Sequence, residues 1–265
     1  MKLHRFACSA LAFCLAAAAP LASFGAAAVS DSFTGSPGPV LGQGGGAGFG
    51  GSYTGAGNIV APGLTYPGLQ TSGNKFNTTG SNAGAFRDLA APISTDGGTI
   101  YVAFLAANSG GTAPDQGGLA FFSAGQSEEE LFLGKTFQAN YGFVVLDATG
   151  GTSAAAPVST TPSLLVYRLT FTPAGDKIDF YANPTPGAAL PATPTLTSNI
   201  PEDAFFDTFT SIYMQSGEGA GNSTPLSFDE LRIGSSFADV APVPEPAALG
   251  LVGLAGLLAM RRRRA

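Results

Sequence analysis

The chain has 265 residues, with twelve Lys and Arg against eighteen Asp and Glu, a net charge of −6, one His, two Cys and no Trp. His4, Cys8 and Cys14 all lie within the first fourteen residues. Everything downstream therefore lacks thiol and imidazole, which excludes a disulfide staple, a Ser-His-Asp triad, a Cys-His pair and a His/Cys zinc or copper site there.

Lys2, His4 and Arg5 make a basic start, Phe6 to Leu21 is apolar and Ala-rich, and Ala26-Ala27-Ala28 offers small residues for cleavage. This pattern predicts a secretory signal peptide over 1–28, cut near Ala26 or Ala28. Cys14 follows bulky Phe13 in mid-run, which argues against lipid attachment.

Residues 29–241 are predicted to form one domain. It carries six basic residues, Lys75, Arg87, Lys135, Arg168, Lys177 and Arg232, against seventeen acidic ones, a balance of −11 that the whole-chain figure hides. Such a surface repels nucleic acid phosphates and anionic headgroups, so no nucleic-acid partner is expected; cations or neutral sugars suit it better, and plain solubility also explains it. Residues 42–58 are nearly all Gly, Ser and Ala, with Phe49 and Tyr53 able to pin a loose edge strand. A G-x-G match there has no supporting βαβ unit or P-loop lysine and is not a phosphate site.

Short runs rich in Phe, Tyr, Val, Ile and Leu follow at 99–107, 118–123, 130–135, 141–147, 164–172, 177–183, 209–215 and 226–234, separated by Gly, Pro, Asn and Asp. They predict strands and no long helix. Glu128-Glu129-Glu130 reads as a solvated charge run at a strand entrance. In the clearest strand Leu165, Tyr167, Leu169 and Phe171 share one face, and Thr172-Pro173-Ala174-Gly175-Asp176 turns the chain into Ile178, Phe180 and Ala182, with Asp179 and Tyr181 opposite. This predicts a hairpin. In the closing run, Asp229 alternates onto the face of Leu231 and Ile233 while Phe228, Glu230 and Arg232 take the other, so one face must bury a charge or a bulge must break the alternation. Tyr53, Tyr66, Tyr101 and Tyr213 are candidates to stack on sugar rings, with ordinary core packing as the alternative for each.

The C-terminal region, 242–265, has three parts: Pro244-Glu245-Pro246, an apolar run from Ala247 to Met260, and Arg261, Arg262, Arg263 and Arg264. At 1.5 Å rise per residue the run makes a helix of roughly 21 Å, shorter than the ~30 Å hydrocarbon core, so a transient anchor is expected rather than a permanent span. The arginines should stay cytoplasmic, placing the preceding domain outside.

These three parts, in this order, resemble a PEP-CTERM sorting signal. The resemblance implies recognition by an exosortase, transient insertion in the inner membrane, and delivery to the cell surface or extracellular matrix. The segments Asp31-Ser32-Phe33, Gly63-Leu64-Thr65-Tyr66-Pro67-Gly68-Leu69, the 164–183 hairpin and Phe228-Asp229-Glu230-Leu231-Arg232-Ile233-Gly234 resemble concanavalin A-like, laminin-G-type domains. That second resemblance implies an all-β antiparallel jelly-roll sandwich with its first and last strands adjacent, and members that commonly bind carbohydrate or calcium. Glucanases of this architecture carry Glu-x-Asp-x-x-Glu on one strand, and this chain has no such run. A non-enzymatic, structural or carbohydrate-contacting protein is expected, with a glycan-active hydrolase or a purely architectural matrix protein as the alternatives. Asp229, with Asp31 from the adjacent first strand, is the candidate for a structural calcium site, because two carboxylates brought together would need a cation; the alternative is that Asp229 accepts backbone N–H bonds at the strand edge while Glu230 and Arg232 stay solvated.

Overall fold

A computed structural model describes residues 27–78, 83–94, 97–108, 116–136, 140–146, 152–200, 208–216 and 226–244. The expectations for residues 1–26 and for 245–265, including Glu245, Pro246 and the four arginines, lie outside these. In the described residues sixteen strands and one short helix follow in order: β1 Val29–Asp31, β2 Gly38–Pro39, β3 Thr54–Gly55, β4 Asn58–Val60, β5 Lys75–Asn77, β6 Ala83–Ser94, β7 Gly98–Asn108, β8 Gly117–Phe122, β9 Glu129–Lys135, β10 Asn140–Val145, β11 Thr152–Pro157, β12 Ser163–Phe171, β13 Asp176–Ala182, β14 Leu196–Ile200, β15 Thr208–Ser216, β16 Leu226–Gly234 and α1 Phe237–Val240. No described helix is long and apolar enough to cross a membrane.

The strands form two antiparallel sheets. One runs β14-β13-β12-β7-β16-β5-β4-β2, with β1 also on β16; the other runs β11-β10-β9-β8-β15-β6-β3. All eight expected runs are strands, the β12–β13 hairpin forms with Leu169 opposite Ile178, and the first strand lies beside the last, Asp31 opposite Leu231.

Alternation explains how the sheets pack. Leu165, Tyr167, Leu169 and Phe171 of β12 face inward with Phe104, Phe180 and, from the second sheet, Phe121, Leu133 and Phe143. Tyr167 stacks on Phe180 at 4.8 Å and sends its hydroxyl 2.9 Å to the Gly142 carbonyl of β10, so the buried phenol is satisfied across the sandwich. The nine-stranded sheet is also covered on part of its outer face, where Leu64, Leu69, Leu164, Val166, Tyr181 and Val240 form a second cluster. That is why β12 begins as a continuous buried run and alternates only from Arg168 onward. Leu169→Ala or Phe171→Ala should each cost about 2–5 kcal/mol in urea unfolding, whereas Thr170→Ala, half-buried on the outer face, should cost well under that.

Two bulges correct the sequence reading of charge. Between β8 and β9 the register slips, Phe121 facing Leu131 but Phe122 facing Glu129, and the extra residue Glu130 is 1% exposed rather than solvated. Between Asp229 and Arg232 of β16 another slip puts Glu230 at φ 51°, a left-handed conformation uncommon outside glycine. The slip lets Phe228, Leu231 and Ile233 all join the main core, which strict alternation forbids.

Candidate functional site

A broad concavity opens at one end of the sandwich. The loop between β4 and β5 supplies Tyr66 and Pro67, the β11–β12 connection supplies Ser159, Thr161 and Pro162, and the segment leaving β13 supplies Asn183, Thr185 and Pro186, enclosing about 770 Å³. Local chemistry fixes these walls. Asn183 adopts φ 54°, its N–H donates to the Leu164 carbonyl at 2.7 Å, and its Oδ1 accepts from the Leu164 N–H at 3.0 Å. Thr195 Oγ1 accepts from the Ala182 N–H, and Ser159 Oγ accepts from the Thr161 N–H, both at 3.0 Å. Four prolines, Pro67, Pro157, Pro162 and Pro186, stiffen the rim. None of the described lining residues is charged, so paired-carboxylate acid and base chemistry has no groups there. Burial raises the Tyr66 phenol above its ordinary range, keeping it a neutral donor, and the side chain as a whole is half-buried.

The other three tyrosines have different settings. Tyr53 is 1% exposed and belongs to a buried cluster built around Asp31 and Arg87. Tyr213 stacks on Phe86 at 4.0 Å, and its ring occupies the space that a side chain at Gly84 would need. Tyr101 stands on the outer face of β7, opposite Arg168.

Asp31 and Asp229 do not share a donor set. Asp31 Oδ2 accepts from the Tyr53 hydroxyl at 2.7 Å and pairs with Arg87 at 3.1 Å, and Oδ1 accepts from the Phe33 N–H at 2.7 Å. Arg87 comes from β6, so this pair ties the second sheet to β1 of the first. The guanidinium sits 4.4 Å from the Phe49 ring and 4.5 Å from the Tyr53 ring, and it donates to the carbonyls of Gly45 and Gly51 at 2.8 and 2.5 Å. The glycine-rich segment is thus moulded on Arg87. At Gly46, φ 65°, a side chain would collide with the Ser30 carbonyl, so glycine alone permits this approach.

Asp229 is fully buried and accepts from two backbone N–H groups, Leu64 at 2.6 Å and Glu230 at 2.7 Å. Burial, then the neighbouring Glu230 charge, push its carboxyl up to about 8 despite those bonds. Glu230 and Arg232 are not solvated as expected from the sequence. Glu230 Oε2 pairs with Arg232 at 2.5 Å and accepts from Ser32 Oγ at 2.8 Å, its Oε1 accepts from the Ser72 N–H, and Arg232 also reaches the Gln70 carbonyl at 2.9 Å. The charges on this strand are buried because the 61–74 loop folds over them. Each of the two carboxylates considered for a calcium site already has partners of its own. Arg87 already neutralises Asp31, Asp229 is held by amides, and no group of three or more metal-binding side chains exists among the described residues. The two carboxylates do not fit a shared calcium ion.

No protein-family model matches the chain, and no curated protein sequence is significantly similar to it. Similar solved structures include the botulinum neurotoxin type G receptor binding domain, with a TM-score of 0.50, 8% identity, 82% of this chain covered and 50% of that one. This chain thus spans half the length of that domain. A cellulose induced protein, Cip1, gives a TM-score of 0.45 at 12% identity over 69% of this chain and 86% of that one. The Emp47p carbohydrate recognition domain gives 0.41 at 8% identity over 66% and 91%. At these identities the first likeness speaks to the fold alone: an antiparallel β-sandwich.

Proposed function

We propose that this chain is an exported, non-enzymatic β-sandwich of the concanavalin A-like jelly-roll kind that contacts extracellular polysaccharide through the Tyr66 groove. The observation that carries the reading is the groove's composition: one half-buried tyrosine, several hydroxyls and an amide, and no charged side chain among its described lining residues. A neutral sugar offers a C–H face to an aromatic ring and hydroxyls to short polar groups, and needs no charge to be held. A glycan array on the purified domain, with and without calcium, should find a neutral oligosaccharide ligand in both conditions. Tyr66→Ala should weaken that binding roughly tenfold. Absence of any glycan ligand would leave an architectural matrix protein, and release of new reducing ends from the bound glycan would make it a hydrolase.

Delivery is proposed to run through the signal peptide and the PEP-CTERM-like tail. Val243 packs on Gly187 and the Pro242 carbonyl accepts from the Gln70 N–H at 2.8 Å, so the fold holds the chain up to the exposed Pro244 that opens the Pro-Glu-Pro box. Replacing Pro244, Glu245 and Pro246 by alanine should leave unprocessed protein in the inner membrane while export of the domain continues. Unchanged C-terminal mass and location in that variant would refute exosortase processing.

A further inference from the structure

A second recess lies on the outer face of the nine-stranded sheet, beyond the covering loops. It encloses about 280 Å³ between Tyr101, Arg168, Leu190 and Phe237, over the small residues Ala188 and Ala189. That volume suits one ring better than a chain of them. Arg168 stands between Tyr101 of β7 and Asp179 of β13 in the cross-strand register.

The charge arrangement here is unusual for this protein. Asp179 is fully buried and saturated: Arg168 reaches its Oδ2 through both Nε and Nη2, while Lys177 at 3.0 Å and Thr197 Oγ1 at 2.6 Å reach its Oδ1. Burial alone would raise this carboxyl, but the bonds from Thr197, Arg168 and Lys177 outweigh it and hold it below its ordinary range. A strand pair needs one cation to match one carboxylate; here two cations share one, leaving a surplus positive charge. Both cationic side chains reach solvent, at 33% and 43% exposure, whereas Arg87 and Arg232 are at 4% and 10%. In a domain whose balance is −11, an exposed positive surplus beside an aromatic-walled recess has a specific use. Asp179 takes two N–H donors on the Nε and Nη2 side of the guanidinium and the Tyr101 side chain takes another, so about two of the five remain for a planar anion.

We propose that this recess binds a carboxylated sugar, with the uronate carboxylate on Arg168, supported by the charge of Lys177, and the pyranose ring between Tyr101 and Phe237. The site is separate from the Tyr66 groove, which has no charge to offer such a group, and it adds an acidic-polysaccharide specificity to the neutral one proposed there.

The test is calorimetric titration of the full chain in mild detergent with trigalacturonate, its methyl ester and sodium acetate. Trigalacturonate should bind, more weakly as salt rises, and the ester and acetate should each bind at least about tenfold more weakly, since one loses the charge-assisted bond and the other the ring. Arg168→Gln should cost about tenfold or more, and because it also disturbs Asp179, Ala188→Trp serves as the second variant. It fills the recess without touching the ion pair and should weaken trigalacturonate by a similar factor. Tyr66→Ala should leave trigalacturonate binding unchanged while weakening neutral-glycan binding about tenfold, so the two sites fail separately. Equal binding of acid and ester, binding of acetate as tight as that of trigalacturonate, or indifference to Ala188→Trp would overturn the proposal.

Discussion

Arg87→Ala should destabilise the domain by about 3–5 kcal/mol, the scale seen when one partner of a buried ion pair is removed. The reason is that several groups lose a partner at once. Asp31, 2% exposed, would keep only the Tyr53 hydroxyl and the Phe33 N–H against the cost of a buried carboxylate. The carbonyls of Gly45 and Gly51 would lose their donor, and the facing rings of Phe49 and Tyr53 would lose the cation between them. Because the pair joins β6 of one sheet to β1 of the other, the glycine-rich segment should also loosen, seen as lost amide protection over 42–57. The double variant Arg87→Met with Asp31→Leu should recover part of the loss, since it removes both charges together. A single-variant loss under about 1 kcal/mol in urea unfolding would show that the pair is decorative.

What the sequence disclosed and what it withheld follow from the range of the interactions. Strands that bury one face and solvate the other announce themselves by period two, as 164–172 and 177–183 do. β6 did not, because Gly84, Arg87, Asp88 and Pro92 interrupt its pattern, and Arg87 points into the sandwich for the sake of residues some forty positions earlier. β11, a run of Thr, Ser and Ala, has no apolar signal to read. The bulge in β16 was visible as a conflict between two faces; its consequence, burial of Glu230 and Arg232 under a distant loop, was not. The same holds for the sites. Tyr66 and Tyr101 were two of four equivalent tyrosines in the sequence, and only the convergence of three connections around one, and of a doubly paired carboxylate beside the other, separates them from Tyr53 in its clasp.

The stability of this domain should fall between about pH 4 and pH 8 through Asp229. Its folded carboxyl is raised to about 8 from an ordinary value of 3.8. Below about pH 4 both folded and unfolded chains hold the proton, and the contribution is fully present. As pH rises through the window the unfolded chain releases the proton while the folded one must keep it, so stability declines by up to about 1.4 kcal/mol per pH unit until the folded group also ionises. Other carboxyls titrate as well, Asp179 in the opposite sense because its folded value is lowered, so the comparison must be with Asp229→Asn. Asparagine cannot ionise, but it can present only one acceptor to the Leu64 and Glu230 N–H groups, at a cost of about 1–3 kcal/mol. The variant should therefore be less stable than the parent at pH 4.5 and should close the gap, or overtake it, by pH 8. Parallel urea curves whose separation stays constant from pH 4.5 to 8 would mean that Asp229 is ionised throughout, held as an anion by its two amides and Arg232.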